Sequence, residues 1–200
     1  MKLFYSPASP FVRKVLACAI FRDIDRQITC VPTVPANAPA DLIAANPLSK
    51  IPCLITEDGV ALFDSPVICE YLDSLEGALP LFPPPGGARW LALRHQAMGD
   101  GIMDAAVARR GESLRPKEAA RDAFMARQKA AVDRTLAALE AEPPHQTVDI
   151  GSIAIGCALG YLDFRFAHEP WRPSAPVLAA WFEEFSRNPC MARTVPHDAT

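Results

Sequence analysis

Apolar and polar positions follow two rhythms along this chain, and the rhythm changes near residue 80. Before that point the apolar runs are short. Lys2 to Tyr5 reads as a strand, and Phe11 to Phe21 sets Phe11, Val12, Val15, Leu16, Ala19 and Ile20 at helical spacing. Gln27 to Val31 reads as a second strand, and Pro39-Ala40-Asp41 begins a short helix with a proline suited to its first turn. Cys53 to Thr56 and Val60 to Phe63 flank Glu57-Asp58-Gly59, and Asp-Gly between two strand-like runs predicts a hairpin. Ser65-Pro66 opens a helix that runs to about Leu75. The order β-α-β-α-β-β-α predicts a mixed four-stranded sheet covered by helices, because a parallel pair needs a crossover and a hairpin supplies an antiparallel one.

The break is Pro80-Leu81-Phe82-Pro83-Pro84-Pro85-Gly86-Gly87, which can continue neither a helix nor a central strand. Beyond it nothing reads as strand. Arg89 to Glu112 and Pro116 to Glu140 are long helical stretches rich in Ala, Leu, Arg and Glu. Asp149 to Phe166 is a third, and Pro176 to Arg187 a fourth, with Leu178, Trp181, Phe182 and Phe185 on one face. The expected organisation is an α/β domain over residues 1–79, a linker over 80–88 and an all-α domain over 89–200. Asp149 and Ser152 have the spacing of a capping box, with Val148 and Ile153 as its hydrophobic staple.

Composition narrows the function. Half of the residues are apolar and 22% are charged, as in an ordinary globular protein. A net charge of -3 gives no electrostatic case for nucleic acid or for an anionic membrane surface. Met1-Lys2-Leu3-Phe4-Tyr5 lacks the basic leader of a signal peptide, and the uncharged run from Ile150 to Leu162 is too short to span a bilayer. Six cysteines show no Cys-x-x-Cys pair, so the expectation is reduced core thiols in a cytoplasmic protein. The four histidines show no metal-ligand spacing and are expected to be structural or on the surface.

Three segments carry candidate chemistry. Tyr5-Ser6-Pro7-Ala8-Ser9-Pro10-Phe11 joins the first strand to the first helix. Ser9 falls at the helix N-terminus, where unpaired N–H groups and the helix dipole favour an anion. That environment lowers a thiol pKa, and a serine hydroxyl can donate to a thiolate sulfur. Ser9 also suits a simple N-cap role, with Pro10 behind it. The second segment is Asn46-Pro47-Leu48-Ser49-Lys50-Ile51-Pro52-Cys53-Leu54, and the third is Leu62-Phe63-Asp64-Ser65-Pro66-Val67-Ile68-Cys69-Glu70-Tyr71-Leu72. In the helical half, Asp100-Gly101-Ile102-Met103-Asp104 with Arg109 and Arg110 is either part of a co-substrate pocket or an ordinary core face with solvated arginines. The glycine there suggests close packing or a kink.

The element order and these three segments in sequence resemble the cytosolic glutathione S-transferase superfamily, in a bacterial branch with a serine-type first turn. The resemblance implies a thioredoxin-like N-terminal domain and a helical C-terminal domain. It implies a cis Ile51-Pro52 bond whose exposed backbone pairs with the cysteinyl part of glutathione, as an added strand would. Ser65 would take the γ-glutamyl carboxylate at a second helix N-terminus, and Asp64, usually glutamate in the family, would face the ammonium. Ser9 is the expected catalytic residue, Tyr5 its first rival and Ser6 a distant one; Lys50 is a candidate for a glutathione carboxylate. The turn carries no cysteine, which argues against exchange through a protein thiol. Glutathione is then a co-substrate, with no metal or other cofactor, and its partner a small electrophile. The resemblance also implies a homodimer. Two other outcomes stay open: glutathione-dependent reduction of disulfides or peroxides, and a non-catalytic glutathione-binding regulator on the same scaffold.

Overall fold

The computed structural model describes residues 1–198. Strand β1 (Lys2–Tyr5) leads into helix α1 (Pro10–Phe21), which returns the chain to β2 (Thr29–Pro32). Helix α2 (Ala40–Ala45), the hairpin β3 (Cys53–Ile55) and β4 (Ala61–Leu62), and α3 (Ser65–Ser74) follow. The sheet order is β2-β1-β3-β4. β1 lies parallel to β2, with Lys2 opposite Thr29, and antiparallel to β3, with Phe4 opposite Cys53. β3 and β4 are antiparallel. This is the mixed four-stranded sheet that the residue pattern predicts.

The differences are local. A 3-10 turn at Asp25–Gln27 delays β2, which then extends to Pro32; an edge strand tolerates a residue without an N–H. Pro39 is the N-cap of α2 and not inside its first turn. At the hairpin, Gly59 takes a φ of 85°, and the Thr56 hydroxyl accepts the Val60 N–H at 2.9 Å.

Five helices follow: α4 (Gly87–Ser113), α5 (Ala119–Ala141), α6 (Ile150–Arg165), α7 (Pro176–Phe185) and α8 (Pro189–Ala192). α4 starts inside the expected linker, because Gly86, with a φ of 149°, turns the chain directly into it. The single turn of α8 has too few residues to show a period, yet it buries Cys190 and Met191. The stretch ahead of α4 is tied down. Arg22 donates to the carbonyls of Leu75, at 2.6 Å, and Ala78, and Asp73 accepts the N–H groups of Leu81 and Phe82 at 2.7 and 3.1 Å.

Helix α6 is the central element. Every residue from Ile150 to Leu162 is buried. Its start carries the expected capping box: the Ser152 N–H donates to Asp149 Oδ1 and the Asp149 N–H to Ser152 Oγ, both at 2.8 Å. Val148 packs against the core cluster that contains Ile153. α4 crosses α6 at Gly99, not at Gly101: a Cβ on Gly99 would sit 2.6 Å from the Ala154 carbonyl carbon, whereas Gly101 has open space. α1 joins the sheet to the helices. Its Lys14 is fully buried and donates to Asp100 Oδ1 on α4 at 2.5 Å, and Arg13 donates to the Met191 carbonyl at 3.2 Å. The six cysteines are free, and all but Cys30 are buried. No helix among the described residues is long and apolar enough to cross a membrane.

Candidate active site

Ser9 caps α1. Its backbone is extended, and its Oγ accepts the Val12 N–H at 3.3 Å, so the sequence pair Ser9-Pro10 does what its residue types favour. A hydroxyl has two acceptor lone pairs and one proton. No acceptor for the Ser9 proton exists among the described residues, so that proton remains available to a bound group.

The second segment forms a loop organised by Asn46, which is almost fully buried. Its Nδ2 donates to the Lys50 carbonyl at 2.9 Å and its Oδ1 accepts the Leu48 N–H at 3.0 Å. Ser49 takes a left-handed φ of 54° inside this loop. The Ile51-Pro52 bond is cis, as is the Phe63-Asp64 bond. Among the described residues, the Ile51 N–H and C=O have no hydrogen-bond partner, so this piece of chain presents an unpaired edge beside β3.

Asp64 is the N-cap residue of α3, but its side chain makes no capping bond. Ser65 is buried at the first position of that helix, and its hydroxyl has no partner among the described residues. The free N–H groups of α3 therefore point at the cleft with their polar side chains uncommitted.

Two adjoining cavities gather these groups. The smaller, of about 130 Å³, is lined by Ile51, Pro52, Asp64 and Ser65, with Lys50 beside them. The larger, of about 360 Å³, is lined by Ser9 and Ser6 on one side and by Val107, Arg110, Tyr161 and Arg165 on the other. Phe11, Lys50, Ile51 and Asp104 belong to both walls, so the cavities are continuous with each other. Ser9 and the four other expected contact residues thus meet in one cleft. Tyr5 does not join them; it lines another cavity with Arg13, Arg193 and His197, which meets the larger one only at Ser6.

The helical side of the cleft differs from expectation. Met103 is fully buried in the core and reaches neither cavity. Arg109 is also buried: it donates to both carboxylate oxygens of Glu169, at 2.7 and 2.8 Å, and lies over Phe166. Asp104 and Arg110 of the expected patch do face the cleft, with Val107 between them at three-residue spacing on α4, while Tyr161 and Arg165 lie four apart on α6. Those spacings put each set on one helix face, a signal the sequence did contain. What it did not contain was which faces meet.

Asp104 is open to solvent on one side and crowded by protein on the other. That partial desolvation raises its carboxyl pKa; Lys50 works against the rise and Asp64 adds to it. Burial raises the Tyr161 hydroxyl, against the pull of Arg165 and Arg110. Burial also lowers the pKa of His95, which lies in the core. Among the described residues no group of three or more His, Cys, Asp or Glu is placed to hold a metal ion, and no cysteine lines either cavity.

Known proteins resemble this chain in sequence and fold. The family model for the glutathione S-transferase N-terminal domain matches residues 8–75, and that for the glutathione S-transferase C-terminal domain matches residues 119–184. The uncharacterized GST-like protein YibF of Escherichia coli (strain K12) is 34% identical over the full length of both chains. A glutathione transferase family member from Pseudomonas fluorescens Pf-5, solved with bound glutathione, is 41% identical with a TM-score of 0.91, covering 98% of each chain. A glutathione S-transferase from Methylobacillus flagellatus KT, solved with glutathione bound, is 34% identical with a TM-score of 0.89. The match covers 98% of this chain and 99% of that one.

Proposed function

Because the chain belongs to the glutathione S-transferase family, we propose that it ionises the thiol of bound glutathione at Ser9 and conjugates the thiolate to a small electrophile. The observation that carries this reading is the free proton of Ser9, held at the N-terminus of α1 and facing the larger cavity. A thiol of pKa about 8.5 is mostly protonated at neutral pH, and a helix N-terminus with a hydroxyl donor favours its charged form. The uncommitted backbone of Ile51, beside Pro52, suits a strand-like pairing with the cysteinyl unit. The N-terminus of α3, with Ser65, suits the γ-glutamyl carboxylate, and Asp64 the ammonium. Two relatives solved with glutathione bound support the same ligand here.

The reaction needs little else from the protein. The thiolate attacks an electrophilic carbon held beside it, and catalysis comes from ionisation and positioning. The free cysteines lie outside the cleft, which supports conjugation over exchange through a protein disulfide.

We also read residues 1–79 and 89–200 as two domains joined through the proline-rich stretch. The same reading places the protein in the cytoplasm, as a homodimer. Six unpaired cysteines support a reducing compartment, and the exposed Val67 of α3 and Trp90 of α4 supply apolar surface for a second copy. Sedimentation equilibrium reads the mass directly.

Retention on immobilised glutathione, followed by turnover of halo-aromatic, epoxide, peroxide and disulfide substrates, tests the function. The expected result is retention with turnover of carbon electrophiles. No retention removes the glutathione reading. Turnover of disulfides or peroxides alone makes the protein a reductase, and retention without any turnover makes it a binding protein.

A further inference from the structure

The larger cavity has a charge polarity that conjugation as such does not require. Its wall carries three cations, Lys50, Arg110 and Arg165, against one carboxylate, Asp104. They are not evenly mixed. Lys50 and Asp104 also line the smaller cavity, so they stand at the shared end, where Lys50 acts on the Asp104 carboxyl. Arg110 and Arg165 line the larger cavity and not the smaller. Arg110 follows Asp104 by six residues on α4, which at about 1.5 Å per residue sets it about 9 Å farther along the helix axis. The end away from the glutathione groups is therefore the cationic end.

That end already shows its preference for a carboxylate. Arg165 donates to Asp198 Oδ1 at 2.6 Å, although the Asp198 side chain is 73% exposed. The bond from Arg165 is the main reason the Asp198 pKa falls below the usual range, and the charge of Arg110 contributes too. The Arg165 guanidinium lies 3.9 Å from the centre of the Phe164 ring, which holds it in place. Arg110 is less committed. Its one side-chain bond runs to Ser113 Oγ at 3.4 Å, and no carboxylate pairs with it among the described residues. A guanidinium presents a planar fork of donors that matches a carboxylate, so Arg110 has capacity left for one. Tyr161, four residues before Arg165, adds a hydroxyl that burial keeps protonated.

We propose that the electrophile conjugated here carries a carboxylate, held at the end of the larger cavity remote from Asp104 by Arg110, whose donors are open, and by Arg165, which exchanges the exposed Asp198 for it. This rests on the glutathione reading and specifies its second substrate. For a halo-aromatic acid the step balances simply. Sulfur forms a bond to the ring carbon, the carbon–chlorine bond breaks, chloride leaves with the electron pair, and the thiol proton passes to solvent. The carboxylate is unchanged and serves recognition only.

The test uses two substrates that differ in one group, 4-chloro-3-nitrobenzoate and 4-chloro-3-nitrobenzamide. For each, kcat/KM is divided by the uncatalysed rate constant with glutathione, and the acid-to-amide ratio is taken. We expect a ratio of about ten or more, the size of one charge-assisted hydrogen bond, falling toward one in both Arg110→Gln and Arg165→Gln. Calorimetric titration with the two thioether products gives a readout independent of turnover, and the same preference is expected in Kd. A ratio near one in the native protein overturns the proposal, as does a preference that survives both substitutions. If neither thioether binds, the glutathione reading falls and this one with it; if both bind equally, only this one falls.

Discussion

The cap that Ser9 forms and the thiolate donor we propose it to be compete only in appearance. Its oxygen accepts the Val12 N–H and caps α1, and its proton has no partner among the described residues. The observed cap and the proposed thiolate stabilisation therefore call on different parts of one hydroxyl. Ser9→Ala removes a hydrogen bond to a charged sulfur, worth about 1.5–3 kcal/mol, and so raises the bound thiol's pKa by about one to two units. Below both pKa values, conjugation by Ser9→Ala is expected to fall by about 10- to 100-fold. Above the raised value both proteins hold thiolate and the rates converge. A pH profile of kcat/KM checks the sign, and full activity with an unshifted profile would remove Ser9 from the mechanism. Tyr5→Phe should leave the profile in place, because Tyr5 lines a different cavity. The placing of Ser9, Ile51, Pro52, Asp64 and Ser65 around one cleft was legible in sequence because each motif brings its own turn or helix start. Tyr161 and Arg165 were not, and Arg110 stood out only as one of two neighbouring arginines, because their meeting depends on how α4 and α6 face the turn after β1.

At the scale of elements, α4 and α6 owe their close crossing to glycine. A Cβ on Gly99 would lie 2.6 Å from the carbonyl carbon and 2.7 Å from the oxygen of Ala154, both rigid backbone atoms, so the helices would have to separate. Gly99→Ala is expected to destabilise by about 1–3 kcal/mol, as overpacking does. Gly101, two residues on, meets nothing within 4 Å. There the same change should stabilise, by about 0.5–1 kcal/mol, through lower helix-interior entropy. Urea unfolding of the two variants gives opposite signs if the crossing is as described, and equal effects would refute it. Composition and the capping box predicted these helices from the sequence, but they could not tell a packed glycine from an open one. The single turn of α8 shows the opposite limit: four residues carry no period, and burial of Cys190 and Met191 with side-chain bonds from Arg13 and Thr194 to their carbonyls supports the turn.

The whole molecule depends on α1, which covers the sheet on one side and reaches the helices on the other. Lys14 carries this load in charged form: it is fully buried, and its partner Asp100 lies 86 residues away on α4. No sequence pattern links two such positions, so this contact between the sheet and the helical half could not be read from the chain. A buried ion pair adds little over a well-packed apolar pair, but removing one member leaves the other charged and unsolvated. Asp100→Asn is therefore expected to cost about 3–5 kcal/mol, lowering the melting temperature by on the order of 10 °C for a chain of this size. The double variant Lys14→Met with Asp100→Leu should recover most of that loss, since neither charge is then stranded. Thermal melts of the single and double variants decide the matter. If Asp100→Asn costs no more than an ordinary surface change of about 0.5 kcal/mol, the Lys14 charge finds solvent by another route, and α1 does not join the two halves through this pair.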